Sequence, residues 1–349
     1  MIALILIGGL GTRLRPFTCD IPKPLLPVVN RPFLEYQFSI LKKHGIRDVV
    51  LCTSYKPEVF RKALGDGRAL GLRLRYCHET RPMGTGGALK NAQHLLAGET
   101  VLALNGDVLN ALDVTAFLKQ HRKNQADLSI ALTRVKDPTL YGVVETAPSG
   151  RIRKFVEKPS WDELESNTIN AGAYLFEPSV LSRVPPGVNY SLERSLFPQL
   201  LAERARLFGY VSGGYWIDIG TVEKYLQVHL DILSGQTPFG KKGLSKGTGV
   251  KIGRDVTMGR GTGSIVLGRG TVVKDFARLS GHICVGQRCE IGKGASLEDC
   301  VVLDGTHVGD GARLERCVVG PGVRIGAHAV LGRGVALAGD SQVKPYSQL

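Results

Sequence analysis

No stretch of this 349-residue chain stays apolar for the roughly 20 residues that a membrane-spanning helix needs. The early apolar run, Ile2 to Ile7, is short and no charged segment precedes it, so neither a span nor a secretory leader is expected. Also missing is any Cys-x-x-C spacing. The seven cysteines are an odd number in mostly apolar contexts, which argues against a zinc site or a disulfide framework. A reducing, cytoplasmic setting follows. Basic clusters interleaved with aromatics are absent too: 45 Lys and Arg against 31 Asp and Glu are spread along the chain. The net charge of +14 therefore points to small anionic substrates and a basic surface rather than to nucleic acid. The first glycine-rich loop lacks a closing Gly-Lys-Ser/Thr, and Leu14 stands where a dinucleotide fingerprint has its third glycine, so neither motif is matched.

What is present begins at the start of the chain. Ile2 to Ile7 reads as a strand buried on both faces, and it runs into Gly8-Gly9-Leu10-Gly11-Thr12-Arg13. Such a loop exposes backbone N–H groups that can approach phosphate oxygens closely. Arg13 adds a fork of donors, and Lys23, held between Pro22 and Pro24, adds a fixed point charge. Together they suit a polyphosphate. The loop followed by Pro22-Lys23-Pro24 resembles the signature of sugar-1-phosphate nucleotidylyltransferases, the nucleotide-sugar pyrophosphorylases.

At this length two domains are expected, since single cores rarely grow past roughly 250–300 residues. Downstream, strands at Asp48 to Thr53 and Leu72 to Tyr76 alternate with helices at Pro32 to His44 and Lys56 to Leu64. That alternation predicts a Rossmann-like α/β domain with a mostly parallel sheet, whose ligands sit beyond the carboxyl ends of the strands. Glu79 to Lys90 carries a second glycine cluster, Gly84-Thr85-Gly86-Gly87, expected to bring backbone near a ligand and to open a helix running to about Leu96. The resemblance assigns base reading to this segment, with Gly84 and Thr85 beside the nucleotide. Many members have glutamine where this chain has Glu79. A carboxylate only accepts, which suits the N1–H and N2–H donors of guanine and favours GTP. Read without the family, Glu79 is an exposed turn carboxylate.

The strand Thr100 to Asp107 ends in Gly106-Asp107, where the family has Gly-Asp or Ser-Asp, and Asp107 is the candidate Mg²⁺ ligand. Strands are also expected at Asp127 to Val135 and Tyr141 to Glu145. Phe155-Val-Glu157-Lys158-Pro159 and Asn170-Ala-Gly172 look like the family's sugar-phosphate motifs. They imply that Glu157, Asn170 and Gly142 meet the sugar while Lys158 holds its phosphate. Ser191 to Pro198 resembles a stretch of mannose 1-phosphate guanylyltransferases. Trp216-Ile-Asp218-Ile-Gly-Thr221 matches W-x-D-x-G-T, implying that Asp218 shares the Mg²⁺ with Asp107.

From about Val250 an aliphatic residue followed by glycine recurs near multiples of six, with Ile291, Val308 and Ile325 seventeen apart. This suits stacked triangular coils and resembles the left-handed parallel β-helix of hexapeptide-repeat proteins. The expected domains are 1–240, nucleotidyltransferase, and 241–349, β-helix, joined by a Gly/Ser/Lys linker over Lys241 to Gly249. The β-helix is expected to be structural and to form a homo-oligomer; His282, His307 and His328 are the candidates for an acyltransferase role instead.

The implied reaction is attack of a sugar 1-phosphate on an NTP, with GTP and mannose 1-phosphate as the favoured pair. Arg13, Lys23, Asp107, Lys158 and Asp218 are the catalytic set, with Gly8, Gly9, Gly11, Thr12 and Glu79 around the nucleotide. Heptose 1-phosphate with GTP stays open, as does glucose 1-phosphate with a thymidine, uridine or adenosine triphosphate. A regulatory relative that only binds nucleotide-sugar would be expected to lack some of these charged groups. No nucleic-acid or membrane partner is expected.

Overall fold

The opening apolar run forms the strand Ile2–Leu6, with Ala3, Leu4 and Ile5 fully buried. It has no alternating pattern because both of its faces are covered, as befits a central parallel strand. It pairs in parallel with Asp48–Thr53 on one side and with Val101–Asn105 on the other. Arg73–His78 extends this parallel block beyond Asp48–Thr53. On the opposite flank the direction reverses, and Thr168–Phe176 runs antiparallel to Val101–Asn105. Leu128–Arg134 and the hairpin Gly142–Thr146/Ile152–Glu157 continue from it, and Leu207–Val211 lies parallel to Leu128–Arg134. These nine strands make one sheet.

The computed structural model describes residues 1–96, 98–240, 243–259 and 263–349. The chain divides into two units: Met1–Gly9 with Tyr36–Trp216, and Leu10–Glu35 with Ile217–Leu349. The first holds the nine-stranded sheet. Phe33–Lys43, Pro57–Leu64 and Gly84–Asn91 are the helices between its parallel strands, and the last gives way to a 3₁₀ turn, Ala92–Leu95. Its core joins sheet residues such as Leu4, Val50 and Ile130 to Leu89, Leu196 and Phe197.

The second unit contains three parallel sheets of six, six and five short strands, as expected for a left-handed parallel β-helix. Inward aliphatics stack coil on coil: Leu267 on Val285, Val302 and Val319, and Val273 on Ile291, Val308 and Ile325. Each such fully buried side chain contributes roughly 1.5–3 kcal/mol. Aspartates tie coils at the corners: Asp304 accepts from the Gln287 N–H at 2.8 Å, and Asp310 from the Lys293 N–H at 2.7 Å.

The β-helix starts earlier than the sequence pattern indicated. Of the expected linker, Lys241 and Lys242 lie outside the described residues. Leu244–Lys246 is a strand, paired in parallel with Ile265–Leu267. All three of its residues are exposed. A ladder joins backbones, so an end strand pairs without the aliphatic hexad that marks the inner coils. Among the described residues no helix is long and apolar enough to cross a membrane.

Where a glycine follows an inward aliphatic of the inner coils, as at Gly268, Gly292 and Gly309, it has a steric cause. A Cβ on Gly309 would lie 2.6 Å from the Ala327 backbone nitrogen, one coil away. Gly309→Ala is expected to destabilise the β-helix by about 1–3 kcal/mol. Gly213→Ala, where a Cβ meets nothing within 4 Å, is expected to leave thermal unfolding unchanged. Equal unfolding midpoints for the two variants would show that the coils spread without cost.

Candidate active site

The first unit gathers its candidates at the carboxyl ends of the parallel strands. Ser54 donates to the Gly8 carbonyl at 2.6 Å, closing the end of Asp48–Thr53 over the opening loop. A Cβ on Gly8 would sit 2.7 Å from that hydroxyl and 3.6 Å from a Glu79 carboxylate oxygen. Gly9 has open space on that side. Glu79 follows the strand Arg73–His78 directly and is only 6% exposed, so it is no surface turn residue. Its Oε2 accepts from the Met83 N–H at 3.3 Å. Burial pushes its carboxyl above the ordinary carboxylate range, against the opposing effects of that N–H and of His78.

The second glycine cluster holds a distant segment of the chain. The N–H groups of Gly86 and Gly87 both donate to the Tyr190 carbonyl, at 2.8 and 3.0 Å. A Cβ on Gly84 would lie 2.8 Å from that carbonyl oxygen, and one on Gly87 would lie 2.6 Å from the Val188 oxygen. These glycines let the Val188–Tyr190 backbone lie against the helix. Thr85 donates to Glu193 at 2.8 Å and accepts from the Leu192 N–H at 2.9 Å, which docks the same segment.

Asp107 occupies the turn after Val101–Asn105. The Gly106 N–H donates to the Leu6 carbonyl at 2.9 Å. A Cβ on Gly106 would fall 2.3 Å from Ile7, so glycine alone allows the turn to lie this close to the neighbouring strand.

On the antiparallel flank Gly142 sits opposite Glu157, and a Cβ there would come within 2.8 Å of the Glu157 carboxylate. Burial, then the nearby Glu193 carboxylate, push Glu157 up, while Lys158 and Arg194 act the other way. Lys158 is exposed, in the left-handed region at φ 51°, with its N–H bonded to the Tyr141 carbonyl at 3.0 Å. Asn170 donates to the Tyr174 hydroxyl at 2.8 Å and accepts from the Gly172 N–H at 3.0 Å, so one N–H and one lone pair are left for a ligand. Tyr174 donates to Glu193 at 3.4 Å. Glu193 thus joins this cluster; the sequence reading marked its stretch, Ser191 to Pro198, without giving the carboxylate itself a role. Its signal was the acid inside Ser191-Leu-Glu193, whose partners Thr85 and Tyr174 are distant in sequence.

The second unit holds Gly11, Thr12, Arg13, Lys23 and Asp218. Gly11 adopts φ 62° and its carbonyl accepts from Thr18 at 2.8 Å, which curls Thr12–Leu14 into a 3₁₀ turn. Lys23 is 7% exposed, and its Nζ lies 3.5 Å from Asp218, whose other oxygen is 3.7 Å from the Lys224 Nζ. Arg13 closes on the same place, with Nη2 3.4 Å from where a Gly220 Cβ would be. The sequence-predicted Arg13, Lys23 and Asp218 are therefore brought together. Among the described residues no group of three or more His, Cys, Asp or Glu could hold a metal by itself. A single hard carboxylate completed by substrate phosphates is a Mg²⁺ pattern, and Asp107 and Asp218 are each such a carboxylate in their own unit.

This segment is anchored inside its own unit. The hairpin Pro27–Val28/Arg31–Pro32 turns through Val29 and Asn30, both at positive φ. Asn30 donates to the Val285 carbonyl of the β-helix at 2.8 Å. The Val29 N–H donates to His229 Nδ1 at 3.2 Å, and the Tyr225 hydroxyl donates to the Pro27 carbonyl. The three β-helix histidines have ordinary neighbours: His282 accepts from the Ser264 N–H, His307 lies 3.5 Å from Glu290, and His328 stacks on Tyr346.

Residues 2–235 match the family model described as nucleotidyl transferase, and residues 261–347 match the GMPPB C-terminal domain. A mannose-1-phosphate guanylyltransferase of Mycobacterium tuberculosis is 40% identical over 307 residues, covering 88% of this chain and 80% of that protein. Mannose-1-phosphate guanylyltransferase 1 of Arabidopsis thaliana is 35% identical, covering 88% of this chain and 92% of its own. Among solved structures, HddC from Yersinia pseudotuberculosis complexed with GMP-PN aligns with a TM-score of 0.57 at 28% identity. It covers 65% of this chain and 97% of its own.

Burial holds His229 neutral, with its pKa pushed down to about 3. Its depressed value means that this stabilisation is complete above the unfolded pKa near 6.5 and is lost as pH falls towards 3. Between pH 6.5 and 5, His229 is expected to cost about 1 kcal/mol of stability per pH unit. Denaturant titrations of wild type and His229→Gln over that range should diverge by this slope; parallel curves would refute the buried neutral imidazole.

Proposed function

The chain belongs to the nucleotidyl transferase family, and from that premise we propose that it joins GTP to mannose 1-phosphate, yielding GDP-mannose and pyrophosphate. The observation that carries the choice of base is Glu79: a buried carboxylate beside Gly8, able only to accept once ionised. Guanine offers it two adjacent donors, whereas uracil and thymine would turn a carbonyl towards it. Relatives named for mannose 1-phosphate in a bacterium and a plant, and GMP-PN in a structural neighbour, support the same pair.

In this reading a phosphate oxygen of the sugar attacks the α-phosphorus. The new P–O bond forms as the bond to the bridging oxygen breaks, and pyrophosphate leaves with that electron pair. Positioning and charge neutralisation carry such chemistry. Arg13 and Lys23 take the triphosphate and the departing pyrophosphate, with Gly8, Gly9, Gly11 and Thr12 donating from the loop. Lys158 orients the attacking phosphate, and Glu157, Asn170 and Gly142 receive the sugar. Mg²⁺ on Asp107 and Asp218 would supply the remaining neutralisation of phosphate charge. We assign catalysis to residues 1–240 and homo-oligomer assembly to 241–349, in a cytoplasmic protein.

Pyrophosphate release is the direct test, with each NTP paired with mannose, glucose or heptose 1-phosphate. Release confined to GTP and mannose 1-phosphate is expected; turnover of dTTP or UTP with glucose 1-phosphate would overturn the assignment of base and sugar. Because a protonated Glu79 loses acceptor capacity, KM for GTP is expected to rise as pH falls through its raised range. Glu79→Gln should remove that pH dependence and lower kcat/KM for GTP by about 10–100-fold, the loss of one charged hydrogen bond. An unchanged GTP preference in Glu79→Gln would mean that the base is read elsewhere.

A further inference from the structure

Gln37 lies in the helix Phe33–Lys43, is 4% exposed and belongs to no motif. Its amide nitrogen donates to two backbone carbonyls, Asn105 at 2.7 Å and Val108 at 2.6 Å. These carbonyls flank Gly106-Asp107 on either side. One side-chain NH₂ thus uses both of its protons to close the two ends of the turn that carries Asp107. With the nitrogen fixed this way, the orientation of the amide is settled and its oxygen must point the other way.

Among the described residues that oxygen has no protein partner, and neither do the side-chain oxygen of Asn105 and both side-chain polar atoms of Asn110. The three amides line one cavity of about 20 Å³, otherwise walled by residues such as Ile40, Leu104 and Val114. A water needs roughly 10–15 Å³ and two to four polar partners. Leaving a buried polar group unpaired costs about 1–3 kcal/mol, so four such atoms around one small space need an account.

We propose that Gln37 is the positioning residue for Asp107, and that one buried water in this cavity completes the clamp. The water donates to the oxygens of Gln37 and Asn105 and accepts from the Asn110 amide nitrogen, satisfying three of the four atoms. The clamp links the helix, the end of the strand Val101–Asn105 and the strand Val108–Asn110, so the Asp107 carboxylate is held before any ligand arrives. The significance of this positioning rests on the functional reading of Asp107 as a metal ligand.

The test compares wild type, Gln37→Met, Gln37→Glu and Asp107→Asn. Gln37→Met keeps length and removes both donors; Gln37→Glu keeps shape but turns an acceptor towards two carbonyls. Mn²⁺ binding, followed by electron paramagnetic resonance with a non-hydrolysable GTP analogue, is expected to weaken at least fivefold in both Gln37 variants. The Mg²⁺ concentration for half-maximal pyrophosphate release should rise in step, while KM for mannose 1-phosphate stays within twofold. A general loss of fold would instead move all of these together, and circular dichroism identifies it. Should Gln37→Glu not fold, Gln37→Met decides. A high-resolution crystal structure of wild type is expected to show one water peak within hydrogen-bond distance of Gln37, Asn105 and Asn110.

A folded Gln37→Met with wild-type Mn²⁺ affinity and Mg²⁺ dependence overturns the clamp. An empty cavity, or a peak coordinated as a cation, overturns the water. A different result strikes the functional reading: wild type that releases no pyrophosphate and binds Mn²⁺ no better than Asp107→Asn. The crystallographic outcome still decides the water in that case.

Discussion

The hydrogen bond from the Gly106 N–H to the Leu6 carbonyl sets where the central strands of the sheet stop relative to one another. Strands Ile2–Leu6 and Val101–Asn105 run in register; Gly106 follows the second directly, and Gly8 comes one residue after Ile7 beyond the first. At Gly106 the need for glycine is steric, since any side chain would enter Ile7. The two loops that matter most, one beginning at Gly8 and one carrying Asp107, therefore leave adjacent strands at the same level. Ser54 and Glu79 complete that edge from the next two strands. The carboxyl edge of a parallel sheet is where backbone N–H groups and loop side chains meet a ligand, and this register decides which residues reach it.

In the second unit the ordering principle is charge. Asp218 lies between two ammonium groups, Lys23 and Lys224, with Arg13 near the following glycine. The side chains of Lys23 and Asp218 are 8% and 14% exposed, so their pairing is screened much less than a surface ion pair. Arg13, Lys23 and Lys224 thus share the neighbourhood of Asp218, and the proposed reading sets the triphosphate against them. The hairpin just after Lys23 explains how this arrangement is held. Its tip is tied to Val285 through Asn30 and to His229 through Val29, so the β-helix and the helix Val222–Ser234 both brace the segment that bears Arg13 and Lys23.

Much of this was legible in the sequence because it depends on neighbours along the chain. Apolar runs, hexads and the glycines at strand ends each act within a few residues, and the expected elements appear close to where they were placed. The spatial partners were not legible. The glycine cluster at Gly84 to Gly87 is legible as a place of close backbone approach, but not that the N–H groups of Gly86 and Gly87 go to Tyr190, about a hundred residues away. Gln37 occupies an ordinary helical position, and only the fold puts its amide against Asn105 and Val108. Leu244–Lys246 has linker composition, and its strand identity comes from the coil it pairs with.

On the antiparallel flank of the sheet, where the proposed reading puts the sugar, two carboxylates are treated unequally. Glu157 and Glu193 repel one another across a half-buried space, and burial already raises Glu157. The Glu193 carboxylate is nonetheless well supplied with donors from Thr85, Ser191 and Tyr174. Glu157 has no comparable set: its local relief is the electrostatic effect of Lys158 and Arg194. A ligand that offers hydroxyl donors to Glu157 and a phosphate to Lys158 would favour the ionised carboxylate and neutralise the lysine at once. A sugar phosphate carries both groups on one small ring, whereas free phosphate lacks the hydroxyl donors and a free sugar lacks the anion. In the proposed reading, discrimination for the joined molecule would come from this unequal pair of carboxylates, one supplied with donors by the protein and one meeting the substrate.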